Sequence, residues 1–140
     1  MASGKYQGLS QLFLNWLFGG GTFAQPTNLY IGLFSAEASV STTGTEATGG
    51  SYARVTVAGN TTNWPAISGA TTTLANGTAI TFPTASGTGF SAGVNMVGAG
   101  VWSAASSGTL YYWGDLTTPK PVLASDVASF AASAFTIQEL

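Results

Sequence analysis

Glycine, alanine, serine and threonine make up 75 of the 140 residues, and this excess of small side chains constrains the fold more than any other feature. Such a bias accompanies disorder only where hydrophobicity is low and aromatics are scarce. Here 45% of residues are hydrophobic and 12% aromatic, so the chain folds. Threonine and valine favour short strands joined by tight turns, and the expected class is all-β. The length suits a single domain, 1–140, large enough to bury a core without staples.

Charge is the second constraint. Lys5, Glu37, Glu46, Arg54, Asp115, Lys120, Asp126 and Glu139 are the only charged residues, 6% of the chain against about 25% in an ordinary soluble domain. Three scattered cations cannot neutralise a run of phosphates, which excludes nucleic acid as a partner. A net charge of −2 gives little mutual repulsion and suits a protein packed against neighbours in an assembly.

The chain has no cysteine and no histidine. Disulfides, thiolate or imidazole metal sites, a cysteine nucleophile and a Ser-His-Asp triad are therefore excluded. No spacing pairs two of the five acids for glycoside hydrolysis, and no Asp/Asn cluster offers a calcium cage. Asp115 and Asp126 stand where aspartate stabilises turns. Gly19-Gly20-Gly21 lacks the Lys-Ser/Thr of a phosphate loop. The residues assign no catalytic, metal or cofactor-binding role, and the expectation is a protein that is not an enzyme.

Along the chain, the first element is an amphipathic helix over 6–18. Leu9, Leu12, Phe13, Trp16 and Leu17 follow the i, i+3, i+4 rule, and the glycines after Phe18 suit a left-handed cap. The apolar run is too short, and too interrupted by Asn15, for a signal peptide. No segment reaches membrane-span length, so no membrane partner is expected. The helix face must be covered by its own sandwich or by a neighbouring subunit. Leu12, Phe13, Trp16 and Leu17 are accordingly candidate partner-interface residues. Arg54, the single arginine, joins them because its planar fork suits a partner's carboxylate, although a solvated strand position is the plainer reading.

After Pro26 the period changes to two. Strands are expected over 28–35, 52–57, 70–74, 78–82, 93–102, 109–113, 117–123, 127–131 and 134–138. Asn76-Gly77 reads as a hairpin turn joining the third and fourth. Gly98 and Gly100 suggest a bulge or a close backbone contact. Eight or so strands with frequent turns give a single β-sandwich or jelly roll over about 28–138. Trp64, Trp102, Tyr111, Tyr112 and Trp113 either belong to its core or stack on sugar rings.

Several stretches carry a resemblance. They are Asn28-Leu29-Tyr30-Ile31-Gly32-Leu33-Phe34, Gly44-Thr45-Glu46, Gly49-Gly50-Ser51-Tyr52-Ala53-Arg54 and Ile80-Thr81-Phe82-Pro83. Gly108-Thr109-Leu110, Gly114-Asp115-Leu116-Thr117-Thr118 and Val127-Ala128-Ser129-Phe130-Ala131-Ala132 complete the set. In order and spacing, over nearly the whole chain, these resemble a family of small tailed-bacteriophage virion proteins commonly labelled tail fibre proteins. The stretch 87–100 departs from the family's histidine-containing segment. The resemblance implies a virion structural protein, and no catalytic residue carries over. Small jelly-roll proteins of this size also serve as capsid cement, and the sparse charge agrees with that role. The expectation is a cement or decoration protein on the capsid surface, homo-oligomeric on the particle, bridging subunits of the major capsid protein. The alternative is a tail-associated fibre or adaptor protein with host-glycan binding.

Overall fold

The computed structural model describes residues 3–139. In chain order its elements are β1 (Ser3–Lys5), α1 (Gln7–Leu17), β2 (Asn28–Ala36), β3 (Thr45–Glu46), β4 (Val55–Ala58), β5 (Thr73–Ala75), β6 (Ile80–Thr81), β7 (Asn95–Trp102), β8 (Leu110–Pro121), β9 (Ser129–Phe130) and β10 (Thr136–Gln138). A six-stranded sheet runs β1-β8-β7-β2-β3, with β4 beside β3 along the same edge of β2. Two ribbons, β5–β10 and β6–β9, complete the strand pairing, and every pair is antiparallel. The fold is an all-β sandwich with one helix near the N-terminus.

Period-two alternation builds two cores on opposite faces of the large sheet. Leu29, Ile31 and Leu33 of β2 and Ala99 and Val101 of β7 point to the main core, where Leu74, Ile80, Phe82, Phe130, Phe135 and Ile137 from the ribbon side close over them. Tyr30 and Phe34 of β2 and Trp102 of β7 point the other way, against Leu110, Ala38 and Trp113. Gly32 and Gly100 are cross-strand partners. A side chain on Gly100 would come within 2.8 Å of the Phe34 ring and of Leu110, so glycine there lets the aromatic lie flat on the sheet.

Sequence expectations of all-β class and of strands near 28–35 and 93–102 agree with the structure. Others are corrected by pairings between distant segments. The segment around Asn76-Gly77 is not a hairpin: β5 pairs with β10 and β6 with β9. Asn76 is buried and acts as a cross-link. Its side-chain Nδ2 donates to the carbonyls of Thr78 and Ala131, and Phe135 N–H donates to its Oδ1 at 2.8 Å. The expected strands 109–113 and 117–123 form the single β8. Its register against β7 jumps from Gly98↔Asp115 to Met96↔Lys120, so residues 116–119 bulge opposite Val97. A second bulge falls between Val101↔Tyr112 and Trp102↔Leu110, which turns both Tyr111 and Tyr112 toward the main core. The expected strand 52–57 begins only at Val55, because Tyr52 to Arg54 are leaving a turn. Between the expected strands 28–35 and 52–57 lies a further short strand, β3.

Candidate functional site

Two clusters gather the candidate residues, and they lie on different elements. The first is α1. Backbone bonds fix its start: Tyr6 N–H donates to the Tyr111 carbonyl at 2.8 Å and Gln7 N–H to the Val40 carbonyl at 3.0 Å. Leu9 is buried in the main core and Leu12 packs against it. The helix ends as its glycines require. Gly19 has φ +79°, Gly20 N–H donates to the Asn15 carbonyl at 2.7 Å and Gly19 N–H to that of Trp16. This doubly bonded left-handed cap stops the helix cleanly.

Beyond Leu12 the apolar side chains of α1 are only partly covered by the described residues. Phe13, Leu14, Trp16, Leu17 and Phe18 are all exposed. Lys5 Nζ lies 5.8 Å from the centre of the Phe13 ring and 3.1 Å from Glu139 Oε2. Of the helix candidates read from the sequence, Phe13, Trp16 and Leu17 are exposed, whereas Leu12 packs on the main core. The sequence pattern passes over the exposed Leu14 and Phe18, because a one-face template leaves them off the apolar stripe.

The second cluster surrounds Arg54, and the structure does not bring it to the helix. Gly50 and Ser51, at φ +59° and +66°, form the centre of a tight turn closed by Tyr52 N–H donating to the Gly49 carbonyl at 2.9 Å. Paired positive φ angles are why glycines precede the tyrosine. The turn delivers Tyr52 and Arg54 to the edge of β2 between β3 and β4. There Leu33 N–H, which neither short strand pairs, donates to Tyr52 Oη at 2.9 Å, and that hydroxyl donates to Glu46 Oε1 at 2.8 Å. Burial, with the Glu46 charge adding to it, holds the Tyr52 phenol well above its ordinary pKa despite the Leu33 bond.

Arg54 then closes the set. Its Nε and Nη2 donate to the two Glu46 oxygens, each at 2.7 Å. Nη1 donates to the carbonyls of Ala104 and Ser107 at 2.6 and 2.7 Å. The guanidinium lies 3.9 Å from the centre of the Trp102 ring, and the side chain is only 4% exposed. Arg54 is thus neither a solvated strand residue nor held out toward a partner; its fork is used on its own chain. The arrangement clamps β3, β4 and the 103–108 loop onto the sheet. Gly44-Thr45-Glu46 and the Tyr52-Ala53-Arg54 run carry this clamp, and their spacing was the available signal.

The remaining aromatics serve packing. Trp64, Trp102 and Tyr111 are buried and Tyr112 and Trp113 half-buried, so the five do not form one open stacking platform. Between the second half of β8 and the ribbons runs a cleft of about 930 Å³, lined among others by Met96, Thr118, Asp126, Phe130 and Gln138. The Tyr112 hydroxyl donates to Glu139, tying β8 to the C-terminal segment; burial first, then Glu139, raises the Tyr112 pKa. Among the described residues, no three acids gather where they could hold a metal ion, and no helix is long and apolar enough to cross a membrane.

The family model described as podophage GP4 fiber I protein gp80 matches residues 5–138. The match therefore runs from the end of β1 through β10 and takes in both the α1 face and the Arg54 clamp. No curated protein matches the chain.

Proposed function

The chain belongs to the family of podophage GP4 fiber I protein gp80 and is a structural protein of the phage virion, and on that premise we propose that it is a tail-fibre component assembled through the exposed face of α1. The observation that carries this reading is the row of Phe13, Leu14, Trp16, Leu17 and Phe18 left open on a helix whose first turns are anchored. Burial of that row against a neighbour supplies the driving force. Repetition over a symmetric particle multiplies a modest contact into a stable attachment. The Arg54 clamp has a different task, keeping the short-stranded sheet rigid so that the helix is presented in one orientation.

A second reading, capsid cement, is favoured by the sparse charge of the chain. A nearly neutral surface lets many copies pack over the joints of a shell without mutual repulsion. In that role α1 docks on the major capsid protein.

Quantitative mass spectrometry of purified particles, scaled to the major capsid protein, separates the two. A few to a few dozen copies per particle is the fibre result, and hundreds is the cement result. Absence from the particle overturns both. A Phe13→Asp plus Trp16→Asp variant is expected to fold and to be missing from particles. Leu12 is left intact because it packs on the domain's own core.

A further inference from the structure

We propose that Asn76-Gly77 is a modification site guarded by the fold: a deamidation centre, shut while segment 129–139 is docked, whose conversion bars the chain from refolding. The structure forces a chemically labile pair at this place. Asn76 is 1% exposed, and its side chain makes three bonds. Nδ2 donates to the carbonyls of Thr78 and Ala131, and Oδ1 accepts from Phe135 N–H. Gly77 is required by space, because a Cβ there would lie 2.2 Å from the Thr62 carbonyl oxygen and 3.0 Å from the Pro65 ring. Of the six asparagines in the chain, only Asn76 precedes a glycine.

Asparagine before glycine deamidates readily because no side chain keeps the glycine nitrogen from the amide carbon. The Gly77 nitrogen gives its proton to hydroxide and bonds to Asn76 Cγ. The Cγ–Nδ2 bond breaks, and that nitrogen leaves as ammonia with a proton from water. Water then opens the cyclic imide at either carbonyl. The product is aspartate or, with the main chain rerouted through the side chain, isoaspartate. In sum one water is consumed and one ammonia released, with no oxidant or reductant. In the docked state the first step is blocked. Gly77 N–H donates to the Asn63 carbonyl at 2.7 Å, Cγ is pinned through both of its polar atoms, and burial keeps hydroxide away.

One stretch supplies most of that restraint. Asn76 N–H donates to the Phe135 carbonyl at 3.0 Å and Ser133 N–H to the Asn76 carbonyl at 2.8 Å, besides the side-chain bonds to Ala131 and Phe135. The stretch is itself lightly held. β9 and β10 pair over only two and three residues, and Ser133 sits at φ +66°, a strained conformation for a residue with a side chain. Short elements of this kind open ahead of a large sheet. The product does not dock again. A carboxylate at position 76 sets negative oxygen against the two carbonyls that Nδ2 served, in a buried site. Isoaspartate instead adds a methylene to the backbone beside the tight Thr62 contact. A chain that stays open is thereby withdrawn from the pool able to assemble.

The test follows Asn76 by mass-spectrometric peptide mapping of the purified full chain, kept in mildly alkaline buffer either without urea or in urea above the unfolding midpoint. Conversion is expected to run about a hundredfold faster or more in urea, as for a site reached only by opening. Equal rates in the two samples overturn the guard. After the urea is removed, unconverted chains are expected to regain native tryptophan fluorescence and converted chains to stay unfolded. Converted chains that refold with the wild-type urea midpoint overturn the bar to refolding. Phe135→Ala strips the segment's packing on Trp64 and Phe130 but keeps its backbone bonds. It is expected to speed conversion without urea by about tenfold or more, and an unchanged rate overturns the role of segment 129–139. Should that variant not fold, Ile137→Val is measured in its place; a rise of about threefold is expected, and no rise again overturns it.

Discussion

Replacing Arg54 with alanine removes two 2.7 Å bonds to Glu46, two bonds to backbone carbonyls and the cover over one face of Trp102. Breaking a buried ion pair by deleting one partner costs about 3–5 kcal/mol. Glu46 is a quarter exposed, so water recovers part of its solvation and the lower end applies. The carbonyls of Ala104 and Ser107 sit at or near the surface and find water cheaply. The loss of the cation–π contact is worth about 1 kcal/mol, and terms in one cluster do not simply add. The expected cost is about 3 kcal/mol, a fall in Tm of roughly 10 °C for a chain of this size.

Urea unfolding followed by tryptophan fluorescence measures it, with Glu46→Gln and the double variant completing the cycle. Coupling of about 2 kcal/mol between the two positions is expected. Arg54→Lys keeps the charge but not the two-pronged geometry, and is expected to fall between wild type and alanine. Coupling below about 0.5 kcal/mol, the level of independent sites, refutes the clamp. Below its melting point the Arg54→Ala variant is expected to enter particles at wild-type copy number. Specific loss from particles with unchanged stability would return Arg54 to the interface.

Further consequences concern the core and pH. Asn76→Ala leaves the Phe135 N–H and two carbonyls without their partner in a buried site, and a loss of about 3 kcal/mol is expected in the same unfolding assay. Stability is expected to fall as pH rises above about 10, because the unfolded chain releases phenol protons that the folded chain retains on Tyr52 and Tyr112. Urea midpoints from pH 8 to 11 check this; Tyr52→Phe flattens the slope and costs about 1–3 kcal/mol at neutral pH through the orphaned Leu33 N–H. Gly89 has φ +87°, and a side chain there would lie 2.2 Å from the Val122 carbonyl oxygen. Gly89→Ala is expected to cost more than about 4 kcal/mol, read as loss of soluble folded protein on expression; a well-folded variant contradicts the packing of Gly89 on Val122 and Leu123, just past β8.

What the sequence determined by itself is local. Alternation at Leu29, Ile31 and Leu33 sets the inward face of β2, because a strand's side chains repeat every two residues whatever lies beside it. The 3.6-residue period and the glycines after Phe18 set α1 and its cap, because both depend only on neighbouring residues. Small-residue composition set the all-β class. Tertiary structure decided everything that needs a distant partner. Asn76-Gly77 carries the strongest short-range hairpin signal in the chain, yet β10 and β9 claim the flanking strands, and burial makes Asn76 a cross-link. Alternation through Leu110 to Trp113 fails at a bulge that β7 imposes. Arg54 looks the same in sequence whether it faces solvent, a partner or Glu46; the Gly50–Ser51 turn and the gap between β3 and β4 settle that it meets Glu46. The periodicity of α1 shows an apolar face but not its cover. Only the packed domain shows that Leu9 is buried and Leu12 packed on the core, while Phe13 to Phe18 stay largely exposed.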